Sequence, residues 1–391
     1  MLHNRPAGRL SYLVLLFVVM SPQLGLSLIT PYFLPMANDL NVEISELQQT
    51  MVLYMVGYAM SMFGAGMLAD RFDASKVQGF GLLVFSVATI CASLSSNIWI
   101  LGLSRFLQAL GGTSATVLCR LILKRTFPRD RLIRYLADLS MVISLTPAFA
   151  PLLGGLLEPL LGWRSVLQVL SIYSFVLAAL CFFILPAAAA QKPSFPGLCE
   201  VWVQIRSCCQ SSEYRWYALV IACVWMGYFS VLSLTPDLFQ NGLELSGTSF
   251  GLAMTAPACG YWLGGFLVRK TGGSPVLILS TTAISSASWA ALIACSLPGQ
   301  PNLVVYIVLL FLGCIMVGVL IPYAQDGQLT VIARFEGVST GLFFLIQMMA
   351  GAIYMALLNS VCSGNALYSA VCMAVPVLCI GLLLFVRKSR A

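Results

Sequence analysis

Long apolar runs, each closed by a short polar turn, recur along the whole chain. Leu10 to Ala37, Val77 to Ser104 and Thr271 to Gln325 contain no acidic or basic residue. An apolar run near 20 residues is the length that crosses about 30 Å of hydrocarbon as a helix. The pattern predicts twelve such helices, at 10–34, 47–69, 77–97, 99–122, 133–157, 164–186, 216–236, 248–268, 275–297, 303–323, 338–358 and 367–386. Ten-residue alternating segments are absent, which argues against a barrel. The fold class expected is an all-α membrane protein. The first run is too long for a secretory signal, lacks a small-residue cleavage site and holds Pro22 and Pro31, with Pro35 just beyond, so it reads as a retained span.

Composition sharpens this picture. Hydrophobic residues make up 59% of the chain and only 9% are charged. Threading twelve helices from a cytoplasmic N-terminus places every Lys and Arg except Arg105 and Arg164 in cytoplasmic segments or at the helix ends beside them. Both termini are therefore expected inside, in a bacterial inner membrane. The net charge of +7 needs no nucleic-acid partner. The 13 Cys show no framework or zinc spacing, and the one His is His3 on the tail. A metal, a cofactor or a His-based catalytic set inside the membrane is not expected. An intramembrane enzyme would need a paired acid/base set, and none is visible. A sensor would be expected to carry a soluble domain or long tail, whereas the chain ends about five residues after its last span. No Walker-type nucleotide loop occurs, so ATP would need another subunit.

The organisation reads as two bundles, 1–188 and 216–391, joined by a polar connector over 189–215. The connector opens with Pro193 and Pro196. Leu198, Val201, Trp202 and Ile205 then fall at helical spacing, as in a short amphipathic helix on the cytoplasmic face. Six plus six helices around a central connector is a transporter layout, with the site expected near the bilayer midplane.

Several motifs carry chemistry. After the second span, Gly66, Asp70, Arg71 and Lys76 set a close helix approach, an acid and bases in a tight loop. The fourth span holds Arg105, Gln108, Gly111 and Gly112, with Arg105 about six residues, or roughly 9 Å, from the helix end. The fifth holds Pro147, Pro151, Gly154 and Gly155. Prolines remove backbone donors and glycines admit a neighbouring helix. Trp163 and Arg164 follow, with Ser233 to Pro236, Gly318 to Pro322, Gly341 and Gln347 in the second half.

Together these residues resemble the major facilitator superfamily, and within it the bicyclomycin/chloramphenicol-resistance (Bcr/CflA) branch of the drug:proton antiporters, over about residues 10 to 386. The resemblance implies efflux of a drug-like molecule or metabolite by alternating access, in exchange for protons. It also implies gating roles for Gly66, Asp70, Arg71, Pro147, Pro151, Gly154 and Gly155. The loop motif departs from the family pattern at Asp73, Ala74 and Ser75. The first-span acid of that branch falls at Ser27, which does not titrate near neutral pH.

A buried charge should face a wet cavity or a partner. Arg105 is therefore expected in the central cavity, where it would favour an anionic substrate such as a carboxylate siderophore. Gln23, Ser27, Gln108, Trp225, Tyr228 and Gln347 are candidate cavity residues. Tyr261 and Trp262 also lie deep in a span. Asp138 lies four residues after Arg134 and near the end of the helix carrying Arg120, so it reads as an ion pair at the cytoplasmic mouth or a relocated proton carrier. Trp99, Trp163, Trp202 and Trp216 are expected in an interfacial belt. A monomer in a lipid bilayer is the expected working form.

Overall fold

The computed structural model describes residues 8–112, 115–188, 198–271, 274–297, 302–331, 336–361 and 366–390. Twelve long helices follow one another, here α1 to α12. Helix α1 runs Arg9–Ser27, tightens into a 3-10 turn at Thr30–Tyr32 and continues as Phe33–Leu40. Then come α2 (Ile44–Arg71), α3 (Ala74–Ser93), α4 (Ile98–Gly112 and Ala115–Thr126), α5 (Arg129–Leu157) and α6 (Trp163–Phe183). A linker helix, Leu198–Gln210, precedes α7 (Ser212–Pro236), which ends in a π turn at Asp237–Gly242. The last five are α8 (Gly247–Thr271), α9 (Pro275–Ser296), α10 (Leu303–Val331), α11 (Glu336–Val361) and α12 (Ala366–Arg390).

Ten of the twelve are long and apolar enough to cross a bilayer on their described residues. The other two, α2 and α5, are 28 and 29 residues long and fall on the expected spans at 47–69 and 133–157. Side chains such as Phe80, Val87, Phe183 and Leu382 are exposed on the outer faces, where lipid is the natural neighbour.

Each set of six repeats the same packing. Helix α2 lies on α4, α3 on α4 and α6, and α1 on α5; correspondingly α8 lies on α10, α9 on α10 and α12, and α7 on α11. The turn after α1 places Asn41 at φ 52°, and the turn after α7 places Glu244 at φ 53°. The two positions correspond in the repeat. The halves meet through α2 against α11 and α5 against α8. One end of the molecule carries the linker helix; the opposite end is called here the far end.

The linker helix does not float free. Cys208 is fully buried, and the helix packs on α11 and α7. Tyr214 donates from Oη to the Ser339 carbonyl at 2.8 Å, and Gln328 donates from Nε2 to Ser339 Oγ at 2.5 Å. Val201 and Ile205 of the expected apolar face are half-buried, Ile205 against the core, whereas Trp202 remains exposed beside Val203. Gly66 and the side chains of Leu198, Asp70, Arg134 and Pro147 lie outside the described set.

Candidate functional site

Arg105 sits in a closed niche. Its side chain is fully buried, and Nη1 donates to the Gly25 carbonyl at 2.6 Å and to Gln108 Oε1 at 2.5 Å. Gln108 Nε2 donates in turn to Thr89 Oγ1 at 2.7 Å. The guanidinium lies over the Tyr54 ring, 4.6 Å from its centroid, and Tyr54 Oη donates to the Pro22 carbonyl at 2.7 Å. Glycine at 25 makes this possible, because a methyl there would stand 2.6 Å from Tyr54 Oη. The niche joins α1, α2, α3 and α4. It corrects the expectation of an Arg105 facing an open cavity: Gly25, Gln108 and the Tyr54 ring meet Nη1 and the guanidinium face. Nε and Nη2 keep no hydrogen bond among the described residues.

The cation that faces the space between the halves is Arg120. It is partly exposed and lies within electrostatic reach of Tyr58 on α2 and Tyr261 on α8. Tyr58 Oη is hydrogen-bonded with Thr116, one turn along α4 from Arg120, and accepts a long 3.4 Å bond from Gln23 Nε2. Aromatic rings continue into the second half: Tyr261 lies 5.8 Å from Tyr228, Tyr228 5.8 Å from Trp225, and Trp225 4.9 Å from Phe229. Gln347 is 1% exposed, and its Oε1 has no hydrogen bond among the described residues; the same holds for Trp225 Nε1 and Ser27 Oγ. Phe229 packs on Gly351, so Trp225 and Gln347 lie one turn further along the two parallel helices α7 and α11. Gln23 thus reaches Tyr58 beside Arg120, and Tyr228 and Trp225 extend the ring run that begins at Tyr261. Trp262 stands apart, half exposed and stacked on Phe266 at 5.6 Å.

The far end is sealed by backbone approach. A methyl at Gly155 would lie 2.5 Å from the Gly247 carbonyl oxygen, and one at Gly154 would collide with the Leu28 carbonyl. Gly251 meets the Pro151 carbonyl in the same way. Hydrogen bonds cross between the halves there: Thr248 Oγ1 to the Gly155 carbonyl at 2.7 Å, Gln48 Nε2 to the Ser233 carbonyl at 2.6 Å, and Gln240 Nε2 to the Pro31 carbonyl at 2.8 Å. Close approach of small residues is what holds helices together in lipid. Arg164, the far-side exception to the charge bias, pairs with Asp39 and donates to the Ser95 carbonyl at 3.0 Å. Trp163 donates from Nε1 to Asp39 at 3.0 Å and is buried; it does not join an interfacial belt.

At the linker end, Asp73 explains part of the altered loop motif. It caps α3, accepting from Ser75 N at 2.9 Å, and also accepts from Ala188 N at 3.1 Å. Arg125 Nη1 donates to the Ala69 carbonyl at 2.8 Å, tying α4 to the end of α2. Arg71 is exposed and lies 5.6 Å from the Phe72 ring centroid. Asp138 accepts from Tyr12 Oη at 2.6 Å, linking α5 to α1, with the Tyr135 ring tilted against Tyr12 at 4.5 Å. Arg120 turns to Tyr58 and Tyr261 and does not pair with Asp138.

A family model described as Major Facilitator Superfamily matches residues 15–355. The chain belongs to the major facilitator superfamily. It is 27% identical to the bicyclomycin resistance protein homolog of Haemophilus influenzae over 177 residues, which is 45% of this chain and 44% of that protein. It is 23% identical to multidrug resistance protein D of Escherichia coli over 290 residues, 73% of this chain and 70% of that one. These relatives agree with the resemblance to the drug:proton antiporter branch. Among solved structures, a bacterial homologue of the human lysosomal transporter Spinster, inward-facing and unoccupied, superposes with TM-score 0.75 at 16% identity over 96% of both chains. That likeness is one of fold.

Sequence reasoning missed Tyr58, Thr116 and Tyr12, and gave Asp73 and Arg125 no contact of their own. Tyr58 and Thr116 carry no charge and sit among apolar neighbours, so only their meeting in space reveals them.

Proposed function

We propose that the protein is a secondary active transporter of a bacterial inner membrane that exports a small drug-like or metabolite molecule by alternating access, in exchange for protons. One observation carries the reading. Side chains of both halves, Tyr58 and Tyr261, meet at Arg120, about two turns inside the linker end, while the far end is closed by backbone contact. A site shared by two rocking bundles, 1–188 and 216–391, is what alternating access requires. The basic residues argue for a cytoplasmic linker end, which makes the closed far end the outer one. The relatives' names point to drug-like compounds.

Ser27 cannot carry a proton at neutral pH. Asp138, held by Tyr12 on α1, is our candidate for that role. The test is transport into everted membrane vesicles, with a panel of drugs and metabolites, alongside susceptibility of a pump-deficient host. Accumulation that needs a pH gradient and collapses with a protonophore is expected. Accumulation indifferent to the protonophore contradicts proton exchange, and no energy-dependent movement of any compound contradicts the transporter.

A further inference from the structure

Among the described residues Arg120 is a cation without a counter-ion. It lies six residues, about 9 Å, inside the end of α4. The charged and titratable neighbours it faces are Tyr58, Tyr261 and Cys119, and among the described residues no carboxylate pairs with it. The nearest in-span acid by sequence, Asp138, is engaged by Tyr12 at 2.6 Å. A guanidinium in a poorly hydrated space attracts anions far more strongly than one in water. Arg105 does not compete for this role, because it is fully enclosed and bonded to Gly25 and Gln108.

The opposite wall has a different character. Tyr261, Tyr228 and Trp225 form a run of rings with 5.8 Å centroid steps. It ends beside Gln347, 1% exposed, whose Oε1 lacks a partner, and the indole Nε1 of Trp225 lacks one as well. An unpaired acceptor and an unpaired donor, each buried, cost stability unless a ligand or water satisfies them.

We propose that Arg120, between Tyr58 and Tyr261, docks the acidic group of an aromatic organic anion whose ring end lies against Trp225 and Gln347. This deepens the transporter reading and rests on it. The planar fork of the guanidinium suits a carboxylate, with the two phenols as further donors. The ring end stacks on aromatic faces, which fixes hydrophobicity without fixing identity. The substrate class is therefore aromatic acids, and permanently cationic aromatic drugs are disfavoured at the same point.

The test uses the full chain in lipid nanodiscs and two probes of matched ring size, 2-naphthoate and (2-naphthyl)trimethylammonium, with calorimetric binding. The acid is expected to bind wild type about tenfold or more tighter than the cation, a difference near 1.4 kcal/mol. Arg120→Gln should cost the acid about tenfold and erase the sign preference, and Arg120→Lys should keep the preference with weaker binding. Gln347→Ala should weaken both probes alike. Equal or tighter binding of the cation to wild type, or acid binding untouched by Arg120→Gln, overturns the proposal. If Arg120→Gln does not insert, the wild-type ratio and Tyr261→Phe decide, because loss of one phenol donor should weaken the acid alone. Proteoliposome flux separates the two readings. Arg120-dependent binding without flux sinks the transporter and keeps the site; flux of the cation unaffected by Arg120→Gln keeps the transporter and sinks the site.

Discussion

At the scale of single residues, the two arginines of α4 have different work. Arg105 bonds the Gly25 carbonyl and Gln108 inside a closed niche. Its removal leaves those acceptors buried and unpaired, at about 1–3 kcal/mol each. Arg105→Ala should therefore lower the thermal unfolding midpoint in detergent clearly, while Arg120→Gln leaves it near wild type. The reverse order would show that Arg105 is not the clamp. Asp138 belongs to the same scale. If the carboxylate held by Tyr12 carries the proton, Asp138→Asn should flatten the pH dependence of efflux while protein level holds. An unchanged pH profile with reduced protein would make the Tyr12–Asp138 contact purely structural.

At the scale of elements, the far-end crossing of α5 and α8 is the gate most exposed to mutation. Gly155 meets the Gly247 carbonyl with no room for a Cβ. Gly155→Val should hold α5 away from α8, leaving the far end open and stopping turnover with the protein still inserted. Alkylation of a Cys placed at Thr248, in a background without native Cys, measures this. Faster labelling in the Gly155→Val background is expected, and equal labelling in both contradicts the seal. The helices themselves were legible from the start, because apolar run length is a local property set by bilayer thickness. The motif glycines of α5 were legible as points of close approach. Which helix they approach was not, because that depends on how α5 is turned against α8. Arg120 read as a helix-end base for a similar reason: its position in sequence is terminal, and only packing brings Tyr58 and Tyr261 to it. Asp138 read as a partner of Arg134 because the four-residue spacing is visible, whereas Tyr12 comes from 126 positions away.

At the scale of the whole molecule, charge movement and rocking join. Export of an anion against entry of a proton moves negative charge out and positive charge in, so an inside-negative potential drives both. Each charge is worth about 2.3 kcal/mol per 100 mV. Valinomycin-clamped potassium gradients should therefore speed export of an aromatic acid as the interior becomes more negative, and a rate blind to potential contradicts that stoichiometry. The rocking itself is read most directly by pulsed electron–electron distance measurement on two label pairs in a background without native Cys. One pair is at Leu160 and Leu297, both exposed at the far end, and the other at Lys76 and Lys270, exposed at the linker end. Alternating access predicts two distance populations for each pair, shifting in opposite directions with pH or 2-naphthoate. A single fixed distance at both ends under every condition would contradict a transporter that works by exposing its site to each side in turn.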